Sequence, residues 1–270
     1  VHDVVPLTMI AAYLRYLSHA QDEHSIHSPF VFSLYTKAIR TDSRREPALA
    51  SIRLLRNDLR RSQELIQITD LGAGSKVNGA RQRTVSDIAR HSQKSPRYAR
   101  LLFRLIRYLN LKTVVDLGTS LGLTTAHLAE AVRSAGGRVL TFEGCPQTAR
   151  QAQLNFDRLD LPNVSTVVGN IDDTLAPELL KLGSVDLVFF DANHRYEPTV
   201  RYFETCLLHR HNDTLFVFDD IHWSAEMEQA WVYIQAHPAV RVTIDLFGVG
   251  LVFFRQEQPR QDFILRFGHL

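Results

Sequence analysis

From Thr113 to Ala236 the chain alternates between short apolar or β-branched runs and helix-length stretches, and this alternation restricts the fold more than any other feature. The spacing predicts strands at Thr113–Leu117, Arg138–Phe142, Ser165–Val168, Val185–Phe190 and Thr214–Phe218. Helices are predicted at Thr124–Arg133, Gln147–Leu159, Leu175–Leu182, Glu197–Leu208 and Ala225–Ala236. Such alternation implies right-handed βαβ units around a mainly parallel sheet. The rule then breaks. Val240–Leu246 and Leu251–Arg255 are strand-like, and only Phe247-Gly248-Val249-Gly250 joins them. A link that short permits only antiparallel pairing. The expected fold is α/β and Rossmann-like, a mainly parallel seven-stranded sheet closed by an antiparallel C-terminal hairpin.

Upstream the texture is helical. Val4–Leu17, Phe30–Ile39 behind the Ser28-Pro29 cap, and Pro47–Arg61 carry apolar residues at helical spacing, and Ser95-Pro96 opens a helix to Asn110. Leu65–Leu71 alternates weakly like a strand, and Asp70-Leu71-Gly72-Ala73-Gly74 reads as a turn. His24 and His27 have no acidic or cysteine partners at a fixed distance and read as part of a buried turn or cap. Residues 1–94 are expected to form a helical extension or cap, and residues 95–270 a ligand-binding domain.

Composition excludes more than it assigns. A 270-residue chain with 45% hydrophobic and 22% charged residues is an ordinary globular protein, and a net charge of +2 argues for neither nucleic acid nor membrane. Cys145 and Cys206 form neither a disulfide framework nor a metal pair, no run approaches a transmembrane length, and the start lacks a signal-peptide pattern. A cytoplasmic location is the expectation.

The first strand runs into Asp116-Leu117-Gly118-Thr119-Ser120-Leu121-Gly122, where Gly118 and Gly122 would let a ligand approach the backbone. The GxxxG spacing is not the GxGxxG of a dinucleotide pyrophosphate cradle. Glu143 ends the second strand and could accept two hydrogen bonds from a ribose diol. Gly169-Asn170-Ile171-Asp172, after the third strand, is placed to flank an adenine. At the same edge Phe190-Asp191 closes the fourth strand and Phe218-Asp219-Asp220 the fifth. Three converging carboxylates repel one another, and a hard divalent cation would relieve that repulsion. The alternative is that Asp219 or Asp220 caps the next helix and Asp191 meets an ammonium group of the ligand. His222 and Trp223 follow and should lie over this edge, His222 as a second base or ligand and Trp223 as a wall.

The loop, Glu143 and the closing hairpin together resemble the class I S-adenosylmethionine (SAM)-dependent methyltransferases. Phe190-Asp191-Ala192-Asn193-His194-Arg195-Tyr196 resembles the DADKxNY stretch of the cation-dependent O-methyltransferases of the caffeoyl-CoA and catechol type. That resemblance implies SAM held by Asp116, Gly118, Thr119, Ser120, Gly122, Glu143, Gly169, Asn170, Ile171, Asp172 and Asp191. It also implies Mg2+ or Ca2+ on Asp191, Asp219 and Asp220, although Asp220 stands where the family has an amide. His194 replaces the family's lysine, and a histidine is a credible base near neutral pH, with Asp191 and His222 as further catalytic candidates. The resemblance covers Lys112–Arg255. The whole chain, with His24-Ser25-Ile26-His27-Ser28-Pro29-Phe30 and Asp219-Asp220-Ile221-His222-Trp223-Ser224, is similar to a group of bacterial methyltransferases of undefined substrate. The implied activity is methyl transfer to an oxygen of a small molecule. Cation-independent transfer to nitrogen or RNA, and a non-catalytic nucleoside-binding module, are the alternatives.

Arg97, Arg100, Arg104 and Arg107 share one face of the Pro96–Asn110 helix, opposite Leu101, Leu102 and Leu105. That face is a solvated side of an amphipathic helix, or else it serves an anionic acceptor or an acidic surface. No aromatic-interleaved basic patch argues for nucleic acid. The N-terminal region could shape the acceptor pocket as a lid or form a homodimer surface.

Overall fold

The computed structural model describes residues 7–69, 81–91 and 94–268, so the Asp70–Gly74 turn lies outside the described residues. The upstream elements are α1 (Leu7–His19), α2 (Pro29–Leu34), α3 (Ala50–Leu59), β1 (Leu65–Ile68), β2 (Arg81–Thr84) and α4 (Val85–His91). α5 (Pro96–Leu109) leads into β3 (Thr113–Leu117), α6 (Leu123–Arg133), β4 (Arg138–Glu143), α7 (Pro146–Arg158), β5 (Val164–Val168) and α8 (Ile171–Leu182). Then come β6 (Val185–Phe190), α9 (Tyr196–Leu207), β7 (Arg210–Asp219), α10 (Ala225–Ala236), β8 (Val242–Asp245), β9 (Val249–Phe253) and β10 (Gln261–Ile264).

The strands from β3 onward form one sheet in the order β5-β4-β3-β6-β7-β9-β8-β10. β9 runs antiparallel between β7 and β8, as the short hairpin link demands, and the other neighbours are parallel. The sheet has eight strands rather than the expected seven. β10 escapes sequence reading because it is four residues long and buries only Phe263. Period-two alternation divides the core. Leu187, Phe189, Leu215 and Val217 pack in the layer that holds α5 and α6. Val188, Phe190, Phe216 and Phe218 face the opposite layer, which holds α8, α9 and α10.

The upstream region shares this core. Val31, Leu34, Ile52 and Leu55 belong to the same buried cluster as Val114 and Leu187. After α2 the chain tightens into a π-helical turn, Tyr35–Ile39. Arg104 on α5 donates from Nε to the Ala38 carbonyl at 2.7 Å, from Nη2 to the Ile39 carbonyl at 3.1 Å and from Nη1 to Ser43 Oγ at 2.9 Å. It thus satisfies carbonyls that a helix end leaves open. His24 lies in a 3₁₀ turn, with its backbone N–H donating to Asp22 Oδ1 at 3.1 Å, and Ser28 caps α2, so the segment is a turn and a cap, but His24 and His27 are exposed instead of buried. Segments near both ends of the described residues also meet. Gln21 bridges to Leu265, Tyr35 donates to the Arg266 carbonyl at 2.9 Å, and buried Tyr16 donates to the Leu265 carbonyl at 2.6 Å.

Tyr16→Phe should therefore destabilise the protein by roughly 1 kcal/mol, the net worth of one such hydrogen bond with its acceptor left buried. Urea unfolding of the two forms measures this, and equal midpoints would show that α1 does not fasten the C-terminal segment.

Candidate active site

The strand order reverses at β3, which lies between β4 and β6, and open α/β sheets bind ligands at the carboxyl ends of strands around such a point. A cavity of about 680 Å³ opens there, lined by the turn after β3, the ends of β4 to β7 and the segment that enters α5. Gly118 has φ +115°, and a Cβ on it would collide with the Asp191 carbonyl oxygen, so the turn and the end of β6 touch backbone to backbone. Glu143 accepts from Ser120 N–H at 2.8 Å on Oε2 and from Cys145 N–H at 2.9 Å on Oε1. Those bonds use about half of a carboxylate's acceptor sites, leaving capacity toward the cavity. Burial raises the Glu143 pKa, and the backbone N–H groups of Cys145, Ser120 and Gly144 only partly offset it.

β6 and β7 are neighbours, so Asp191 and Asp219 leave the sheet side by side. Asp191, His194 and Asp219 each offer a ligand atom within 4.8 Å of the others. His194 follows Asn193 in the left-handed region, with φ of 32° and 62°. Backbone outliers of that kind cost energy and concentrate at functional sites. His194 Nε2 stands 3.5 Å from Asp191 Oδ1. Burial pushes the imidazole pKa down, but the carboxylates of Asp191 and, more weakly, Asp220 outweigh it, and the net shift is upward. Lys94 enters from the other side. Its ammonium pairs with Asp219, lies 3.2 Å from Asp220 Oδ1 and reaches the Gly248 carbonyl at 3.4 Å. The cluster already contains a cation of its own.

Of the residues singled out in the sequence, Gly118, Ser120, Glu143, Gly169, Asn170, Ile171, Asp191, His194, Asp219, Asp220 and Trp223 line the cavity. Five others do not line it. Asp116 is wholly buried under the turn, where Oδ2 accepts the hydroxyls of Thr125 at 2.6 Å and Thr141 at 2.9 Å. Burial pushes its carboxyl up to about 7. Thr119 is buried against the Thr141 hydroxyl at 2.6 Å, and Gly122 packs on the Phe156 ring at the start of α6. Asp172 points outward to Arg201 at 2.8 Å. His222 is held by Asp245 at 2.8 Å and Glu228 at 3.4 Å, with its ring on Phe247, and so does not reach the cavity. Of the expected cation trio, Asp191 and Asp219 fall with His194 in one set of possible ligands, and Asp220 lies outside that set. Lys94 and Tyr98 are site residues that sequence reasoning missed. No local pattern marks Lys94, because its partners lie more than a hundred positions away.

Beyond α5 lies a second cavity of about 950 Å³, lined by Arg97, Arg100, Arg104 and Arg266 among others. Arg107 instead sits half-exposed, 4.0 Å from Glu46.

This sheet order, with its antiparallel penultimate strand and its cavity at the β3 turn, defines a class I methyltransferase fold. Residues 115–221 match the family profile for a methyltransferase domain. A catechol O-methyltransferase from Niastella koreensis is 33% identical over 130 residues, which cover 47% of this chain and 57% of that protein. The chain thus spans little more than half the length of this curated relative. Among solved structures, an O-methyltransferase from Bacillus cereus in complex with SAH superposes with TM-score 0.54 at 19% identity, covering 82% of this chain and 94% of that one. An SAH-bound methyltransferase from Podospora anserina gives TM-score 0.59 at 13% identity, over 86% of this chain and 98% of its own. At those identities the likeness establishes the fold.

His194 should titrate above the ordinary histidine value of about 6.5, and Asp191→Asn should bring its midpoint down. In linkage terms the pair contributes stability that is full below the unfolded value and is lost as pH rises through the raised folded value. NMR titration of the ring protons measures the midpoint, and no response to Asp191→Asn would show that the two groups do not interact.

Proposed function

We propose that this chain transfers the methyl group of SAM to an oxygen of a small-molecule acceptor. The observation that carries the reading is one cavity with a ribose-type acceptor, Glu143, beside the close Gly118 turn and a carboxylate-backed imidazole, His194, across from it. Bound SAM would supply an electrophilic methyl group on a sulfonium. Glu143 would hold the ribose hydroxyls with its remaining acceptor sites, Asn170 and Ile171 would flank the adenine, and the Gly118 backbone would pass close to the ligand. Asp191 orients the His194 imidazole. His194 takes the acceptor's hydroxyl proton, and the carboxylate facing its Nε2 stabilises the imidazolium that forms. Alignment of the two reactants supplies much of the acceleration.

An anionic acceptor is the finer part of this reading. Its support is confined to the basic face of α5, where Arg97 and Arg100 form no ion pair with a carboxylate among the described residues but line the second cavity, apart from Glu143 and His194. Arg104 is already engaged by the Ala38 and Ile39 carbonyls. No described helix is long and apolar enough to cross a membrane. The two free cysteines support the cytoplasmic setting that belongs to this reading.

Calorimetric titration with S-adenosylhomocysteine tests the cofactor. Micromolar binding is expected, weakened at least about tenfold by Glu143→Ala through loss of a charged hydrogen-bond acceptor. No binding to the unaltered protein would overturn the proposal. His194→Ala should lower turnover by roughly 10²- to 10⁴-fold, the usual worth of a general base, and leave that binding intact. In the unaltered enzyme the rate should rise with pH until the imidazole is neutral, above the ordinary value of about 6.5. A flat profile would exclude His194 as the base.

A further inference from the structure

Lys94 precedes the Ser95 cap of α5, outside the sheet whose acids it meets. Its side chain is only 9% exposed and that of Asp219 only 3%. An ammonium has three N–H donors. Two donate to Asp220 at 3.2 Å and the Gly248 carbonyl at 3.4 Å, and the charge forms an ion pair with Asp219. The charge also lies 5.0 Å from the Tyr98 ring centroid, and Tyr98 packs so closely on Gly248 that a Cβ there would strike its ring. Asp219 would otherwise be a nearly buried carboxylate beside Asp191 and Asp220, and such a group needs a cation or a proton.

We infer that Lys94 is a tethered cation standing in for a divalent metal ion at the ends of β6 and β7. The ammonium neutralises the acid cluster, blocks the oxygen ligands that a hard ion would need, and leaves the site to work without a metal. Because its ammonium is engaged by Asp219, Asp220 and the Gly248 carbonyl, Lys94 is a positioning residue. It fixes the ends of β7 and of the β8–β9 turn, and deprotonation of an acceptor falls to His194. The inference extends the proposed methyl transfer to cation use, and its main readout does not depend on that reaction.

The test is metal binding by the full chain, followed by calorimetry and by manganese-induced relaxation of water protons. The unaltered protein should show no saturable manganese or magnesium binding in the millimolar range. Lys94→Met keeps a side chain of similar length and frees the carboxylates, and it should bind manganese at least about tenfold more tightly and gain thermal stability from it. Lys94→Arg retains the charge and should remain unresponsive to manganese. If Lys94→Met fails to fold without metal, the Lys94→Arg and unaltered proteins still decide the matter. Tight manganese binding by either would overturn the inference, and so would a folded Lys94→Met protein that gains none. S-adenosylhomocysteine binding, measured on the same samples, separates this failure from failure of the proposed function: a protein that binds the nucleoside and also manganese refutes only the tethered cation.

Discussion

Two neighbouring parallel strands, β6 and β7, end side by side in Asp191 and Asp219, and their electrostatic repulsion constrains everything built around them. A parallel sheet sends all its strand ends to one edge, so acids that are far apart in sequence converge there. Water cannot screen Asp219, which is nearly buried, and its neighbours cannot all be anionic without compensation. The fold answers from two directions. His194 stands against Asp191, and Lys94 reaches Asp219 and Asp220 from the start of α5. The compensation is also mechanical, because the ammonium ties β7, α5 and the Gly248 turn to one point.

Periodicity and connection length made the sheet legible in the sequence. Strands buried on both faces read as continuous apolar runs, as Leu187–Phe190 does, and their helices fill the intervals. The hairpin followed from a link too short for a crossover. β2, α4 and β10 were not legible. β2 is four polar residues paired with β1, and α4 has only seven residues. β10 exists because Val242–Asp245 presents an edge for it to pair with, and no local pattern records that.

The site was legible where it depends on strand ends and illegible where it depends on what faces them. Glu143, Asp191 and Asp219 could be placed because a residue at the end of a parallel strand must lie at that edge. Asp116 shows the limit of this reasoning. It belongs to the same loop motif, but in β3 it points beneath the turn, where two threonine hydroxyls hold it. His222 shows the other limit, since one turn of chain after Asp220 carries it to Asp245 and the Phe247 ring instead of into the cavity. Neither outcome changes the chemistry available at the edge; each changes which residues can reach it.

Lys94 bears on how the upstream third should be understood. Had that region only covered the sheet, its contribution would have been apolar, like Val31 or Leu55 in the shared core. It also delivers the charge that balances the acid cluster. Tyr13 and Tyr16 of α1 pack on Phe247, next to the Gly248 carbonyl that Lys94 approaches. β1 reaches the ligand loop as well, where the Thr69 N–H just beyond it lies 3.4 Å from Cys145 Sγ. Removing the upstream region would thus do more than expose apolar surface, because it would leave Asp219 buried without its partner, which generally costs more than losing a surface ion pair. The upstream third and the sheet are parts of one site, joined by the charge at Lys94.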